Sequence, residues 1–278
     1  MRSHPSLKRL IPETALRNLY ECLRDFPSKE FHLQCAKEFL RVPKKLDALI
    51  GRSFDHFAFY DNREEPFHLR GDAPTSSRQA SLKLADQFAV ALHARKSVTV
   101  SGSLSFSYID YDISPVRTTG NVRFESGASG ADSGSGGADV LLVNDVDQTP
   151  IVGEIKAEHD TTLLLALIQS LTYAIELATP SQRDRLSRTY PERFRFQEPG
   201  PFIDIYILQV RPPKDEWTSK FLDLVDPLSA KLLQQDFVPR VVRRIACLET
   251  AFADNQQVPS FEVRFVHEAK AMLPSTTA

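Results

Sequence analysis

Three stretches, read in order, decide how this chain folds: GGADVLLV (136–143), PIVGEIKA (150–157) and ALIQSLTYAIEL (166–177). The first two are short, apolar and β-branched, and they are joined by a turn-prone link over 144–149, so they predict neighbouring strands. The third is apolar nearly all round over several turns, which predicts a helix buried against the sheet. Its start is expected near Asp160, a good N-cap residue, and its end before Pro180.

Strand parity puts Val152, Glu154 and Lys156 on one side of the second strand, with Gly153 and Ile155 on the other. A hairpin partner then brings Asp139 beside Glu154. Hard divalent cations such as Mg²⁺ take oxygen ligands and use one or two protein carboxylates. Asp139 and Glu154 meet that need, and the backbone carbonyl of Ile155 offers a third oxygen. A lysine next to such an ion can orient a water and stabilise charge developing on a phosphate. The bland reading is an exposed Glu154/Lys156 charge pair on an edge strand. Against it stand the apolar flanks and the preceding VLLV, which point to covered strands, where charge is costly without a purpose.

The helix adds a polar stripe. Gln169, Thr172, Tyr173 and Glu176 recur at i, i+3, i+4 and i+7 on an otherwise apolar surface. Buried polar groups need partners. The stripe is either a satisfied core network or the wall that faces the acid–lysine cluster.

The ordered pattern resembles the PD-(D/E)xK nuclease superfamily. GGAD followed by VLLV is similar to its Gly-x-x-Asp-apolar signature, and GEIKA is similar to its Glu-x-Lys strand. Gln169-Ser-Leu-Thr-Tyr173 resembles the Gln-x-x-x-Tyr motif of the RecB-like branch. The likeness covers roughly 77–210. It implies an α/β fold with a restriction-endonuclease-like core of helix, central mixed sheet, helix and strand. It also implies a Mg²⁺- or Mn²⁺-dependent nuclease acting on DNA in repair or defence. Asp139 and Glu154 would be metal ligands, Lys156 would position the water, and Gln169 and Tyr173 would orient the cluster. The alternative is a catalytically inactive relative that binds nucleic acid or protein. Many relatives carry a further glutamate on the first core helix. The helix expected over 77–94 has none, leaving Asp86 and Gln79 as weak substitutes.

Working outward, residues 12–50 show helical spacing (Leu16, Leu19, Leu23, Phe26; then Phe31, Cys35, Phe39). The aromatic run 54–60 reads as a strand, 98–113 as one long strand or a bent pair, and 120–124 as a short one. The Gly/Ser-rich 125–137 reads as a flap, and it lacks the GK[ST] of a phosphate loop. Beyond the helix, 202–210 is a strand, 216–235 and 239–253 are helices, and 261–266 is a final strand. The expected organisation is a mostly helical segment over 1–74, a nuclease-like core over 75–210, and C-terminal helices and a strand over 211–278.

The chain has 278 residues, 42% hydrophobic and 25% charged, which is ordinary for a globular protein. A net charge of −2 gives no global basic field, so contact with DNA would need a local groove. Arg183, Arg185 and Arg188 are candidates for phosphate contacts; Arg240, Arg243 and Arg244 form a smaller cluster. His159 and Glu158 are spare groups near the expected site. The three cysteines form no CxxC pair, and the first residues lack the apolar core of a signal peptide. Both features suggest a cytoplasmic protein.

Overall fold

The computed structural model describes residues 15–61, 64, 66–67, 84–95, 97–101, 104–115, 137–158, 162–194, 196, 203–252 and 260–270. In chain order these form α1 (Leu16–Asp25), α2 (Lys29–Arg41), α3 (Pro43–Tyr60), α4 (Leu84–Arg95), β1 (Ser97–Ser101), β2 (Leu104–Ile113), β3 (Ala138–Asn144), β4 (Pro150–Ala157), α5 (Leu163–Leu177), α6 (Pro180–Thr189), β5 (Ile203–Val210), α7 (Glu216–Leu232), α8 (Val238–Val241), β6 (Val242–Thr250) and β7 (Glu262–Glu268). The class is α/β. All seven strands make one mixed sheet in chain order, antiparallel except for the parallel pairs β4–β5 and β5–β6. Those parallel steps are made by helical crossovers, α5–α6 and α7–α8, as parallel pairing requires.

The sheet is covered on both faces. On one side Leu141, Val143, Val152, Ile205 and Ile207 pack with α5, α7 and the N-terminal helices. On the other, Val140, Leu142, Ile151 and Ile155 pack with Phe88 and Leu92 of α4. Every residue of α5 is buried, which accounts for its nearly all-round apolar sequence. No single helix among the described residues is long and apolar enough to cross a membrane.

Several boundaries differ from expectation. Residues 54–60 are the last turns of α3, where Phe54 packs on Phe237 with ring centroids 5.4 Å apart. Phe54, Phe57 and Tyr60 have helical spacing while Phe57 and Phe59 also alternate as in a strand, and Pro43 in the first turn starts the helix. Among the described residues of 239–253 only those of α8 are helical. Val242–Thr250 is β6, paired on both sides by β5 and β7, so tertiary pairing overrides local helical spacing. The segment 98–113 is the bent pair, β1 and β2. The helix expected from residue 77 is described from Leu84. The strand expected at 120–124 lies outside the described residues, as do Asp160 and the flap apart from Gly137.

The N-cap of α5 is Thr162, whose Oγ1 accepts the Leu165 N–H at 3.4 Å. His32 of α2 holds this cap in place. Its Nε2 lies 2.8 Å from the Leu23 carbonyl, which can only accept, so Nε2 carries the proton and Nδ1 accepts from the Thr162 hydroxyl at 2.6 Å. Burial holds the His32 pKa below its ordinary value, so the ring stays neutral in this role.

Candidate active site

The site begins where two strands part. β3 and β4 pair from Val143↔Pro150 to Val140↔Gly153 and no further. At the next position the Asp139 carboxylate takes over, accepting the Ile155 N–H at 2.7 Å through Oδ2. Parity turns Asp139, Glu154 and Lys156 towards the α5 side of the sheet. Two glycines permit the geometry. A Cβ at Gly153 would lie 2.5 Å from Val140 Cγ2, and one at Gly137 would lie 2.6 Å from the Ile113 backbone.

Glu154 is 0% exposed, and Asp139 is half-buried at the start of β3. Lys156 Nζ donates to Glu154 Oε1 at 2.5 Å and to Gln169 Oε1 at 3.3 Å. Glu154 Oε2 is buried with no donor facing it, and the Glu154 and Asp139 carboxyls lie close enough to share a proton. Burial and the charge of Asp139 push the Glu154 carboxyl well above the usual carboxylate range. Burial also raises Asp139, against the pull of Lys156 and the Ile155 N–H. Burial alone would lower Lys156, but Glu154 and Asp139 outweigh it and hold the ammonium above its ordinary pKa. Two acids in one dry place resist ionising together, and a cation between them would relieve both.

The stripe on α5 divides its work. Gln169 faces Lys156. Thr172 bonds back to the Ile168 carbonyl at 2.8 Å. Glu176 is held by Arg17 of α1, with Nε–Oε1 at 3.0 Å and Nη2–Oε2 at 2.5 Å. Tyr173 is fully buried between them, with the Arg17 guanidinium 5.7 Å over its ring and Tyr20 at 6.4 Å in edge geometry. Burial, Tyr20 and the Glu154 charge push its hydroxyl pKa up.

Arg17 and Tyr20 are site neighbours that sequence reasoning missed. A buried Glu176 signals that some cation must come to it, but nothing local says that the cation sits on the first helix. Asp112, in the left-handed region with φ 49°, also adds negative charge near Asp139.

The candidate cationic groove changes most. Arg185 is wholly buried; its Nη1 donates to the Pro115 carbonyl and to Gln182 Oε1, each at 2.8 Å, and its guanidinium stacks 4.0 Å from the Phe67 ring centroid. It therefore cannot reach a phosphate backbone, which corrects the expectation for this residue. Arg183 is half-buried over Phe196, whereas Arg188 is exposed. Arg243 and Arg244 lie on β6 rather than on a helix and are engaged by Asp204, Asp147 and Glu268. Glu158 is an exposed partner of Arg211 at 3.6 Å. His159, Gln79 and the side chain of Asp86 lie outside the described residues.

Lys156 also reaches a small open cleft at the carboxyl ends of β4 and β5. The cleft is bordered by the first turns of α5 and α7, and crevices at strand carboxyl ends are where open α/β sheets bind ligands. Among the described residues no three His, Cys, Asp or Glu side chains converge to hold a metal ion. The available donors are thus two carboxylates and backbone oxygen, which suits Mg²⁺ or Mn²⁺ with retained waters better than Zn²⁺. No family model, curated protein or solved structure matches the chain.

Proposed function

We propose that the chain is a Mg²⁺- or Mn²⁺-dependent nuclease that hydrolyses phosphodiester bonds in DNA. On this reading α4, β2–β4, α5 and β5 form a restriction-endonuclease-like core, in the helix–strands–helix–strand order that the resemblance implies. One observation carries the proposal. Asp139 and Glu154 are held close enough to share a proton, with one buried Glu154 oxygen facing no donor and an ammonium, Lys156, alongside. The orphaned oxygen and the raised carboxyls are what a cation site looks like when only its protein part is considered.

Asp139 and Glu154 would hold the ion, with the Ile155 carbonyl as a further oxygen ligand. The ion would supply a Lewis acid for the phosphate and a bound water of lowered pKa. Lys156, charged and aimed by Gln169, places a positive charge where the phosphate gains negative charge. Gln169 gives the same ammonium a second, longer hydrogen bond, 3.3 Å against 2.5 Å to Glu154. Tyr173, packed beneath Arg17 and Tyr20, braces the stripe that carries Gln169.

Cleavage of single-stranded, duplex and circular DNA with Mg²⁺ or Mn²⁺ tests the reading. Glu154→Gln and Lys156→Ala should each remove activity. Parent-level cleavage in both variants would sink the assignment.

A second reading, a non-catalytic relative, draws on the same geometry. Glu154 is fully enclosed and one of its oxygens is already neutralised by Lys156. Calorimetric titration with Mn²⁺ separates the two. Heat that disappears in Asp139→Asn supports the nuclease, and absence of heat supports the scaffold.

A further inference from the structure

The cleft beside Lys156 contains an indole, a group that phosphodiester hydrolysis by itself does not require. Lys156, Lys29, Thr162, Trp217, Pro212 and Pro213 border it. Trp217 is the chain's single tryptophan. It sits half-buried in the first turn of α7, with part of its ring on the core and part lining the cleft. Two ammonium groups lie over its ring, Lys29 Nζ 5.9 Å and Lys220 Nζ 5.3 Å from the centroid, so a base that stacks there takes the place of at least one of them.

Both lysines also have acidic neighbours, Asp215 at 3.7 Å from Lys29 and Glu216 at 2.6 Å from Lys220. Their side chains are 42% and 44% exposed, and exposed pairs of this kind are worth little. A phosphate can therefore compete for either ammonium. α5 and α7 also begin at the cleft, so the positive ends of two helices border it. Asp215 offsets part of this at α7, where it caps the helix by accepting the Thr218 N–H at 2.8 Å.

Nucleic-acid single strands are held by stacking a base on an aromatic face while cations follow the backbone. A duplex keeps its bases inside and offers no free face to an indole in a recess. We propose that this cleft is a platform for single-stranded DNA. Trp217 stacks a base, Lys29 and Lys220 take the flanking phosphates, and the strand is led towards Lys156. The proposal rests on the nuclease reading above and names the form of DNA that its site accepts. A purely structural tryptophan, anchoring two lysines by cation–π contact, is the bland alternative.

The lone tryptophan makes the test direct. An oligothymidylate of about 12 nucleotides, within the range of single-strand sites, is titrated into the full chain in EDTA while indole fluorescence is followed. Quenching that saturates is expected, with a blunt duplex of equal length giving little. Lys29→Gln/Lys220→Gln should weaken binding about 10-fold at low salt without shifting the melting temperature. Trp217→Leu, read by anisotropy of a labelled strand, should weaken it about 10-fold as well, as loss of one stacked base would. No quenching, equal quenching by duplex, or unchanged affinity in the double lysine variant overturns the platform.

Its failure is distinguishable from failure of the nuclease reading. Glu154-dependent cleavage without quenching leaves the nuclease standing and removes the platform. Quenching by single strands with no cleavage under any divalent ion leaves the platform and removes the nuclease.

Discussion

Two buried acids lie on neighbouring parallel strands, at opposite ends and on opposite faces of the sheet, and they are treated in opposite ways. Asp204, at the start of β5, is clamped in bidentate fashion by Arg243, with Nε–Oδ1 at 2.9 Å and Nη2–Oδ2 at 2.6 Å. The register skips Arg243 between Ile203↔Val242 and Asp204↔Arg244, and this bulge lets two consecutive arginines address one acid. Burial pushes Asp204 up, but two guanidiniums pull against it and each of its oxygens is engaged. Glu154, towards the end of β4, shares its site with another carboxylate and keeps an oxygen that no donor faces. The first arrangement is complete as it stands. The second sets two acids beside one ammonium, and its carboxyls can meet only across a shared proton or cation.

The largest expected effect strikes the second cluster. Glu154→Gln should lower DNA cleavage by at least about 10³-fold, the scale of losing one electrostatic element of an active site. It should cost less stability than breaking the Asp204 clamp, because the lost Lys156 ion pair is offset by the end of a like-charge conflict with Asp139. A large loss of stability in this variant would erase the contrast with Asp204.

Arg243→Met attacks the other side. It leaves Asp204 buried without its main counter-charge and should cost about 3–5 kcal/mol in urea unfolding, with normal cleavage per folded molecule. A cost below about 1 kcal/mol would mean that the clamp is decorative.

Divalent ion and pH probe the same difference with no mutation at all. Mg²⁺ at a hundredfold over its dissociation constant should stabilise the protein by about 2.7 kcal/mol, and Asp139→Asn should abolish this. The Glu154 pKa is raised in the fold, so the stabilisation from its bound proton is full below the ordinary value of 4.5 and is lost as pH rises through the folded value. Metal-free protein should therefore weaken as pH climbs above 4.5, and Glu154→Gln should flatten that slope in thermal melts across pH.

Gly153→Ala tests the strand parting, since the new methyl would press on Val140. About 1–3 kcal/mol of destabilisation is expected from such overpacking. Gln169→Ala should show the smallest effect, about 10-fold in turnover with little change in stability, as for a residue supporting a metal site from behind. Loss of folding rather than of turnover would make Gln169 part of the core network instead.

How far the sequence reached follows from the range of each interaction. Periodicity acts within one element, and there it served well: Glu154 shares a face with Lys156, and the α5 stripe turns Gln169 towards both. Pairing β3 with β4 needed only a short turn between two apolar runs. What was not legible depends on distant partners. Arg17 and Tyr20 reach the site only because α1 packs on α5. Arg185 reads as a surface cation in a basic run, yet Pro115, Gln182 and Phe67 together make burial tolerable. β6 carries helical spacing and becomes a strand because β5 and β7 bind both its edges. The aromatic run 54–60 fits either period, and the preceding helical turns of α3 decided it.

The Ile155 N–H, bonded to Asp139 where a ladder partner would otherwise stand, makes the site self-reporting. Any cation that draws Oδ2 away must loosen that bond. The amide resonance and solvent-exchange rate of a single backbone group would then record occupancy, with no substrate, dye or engineered label.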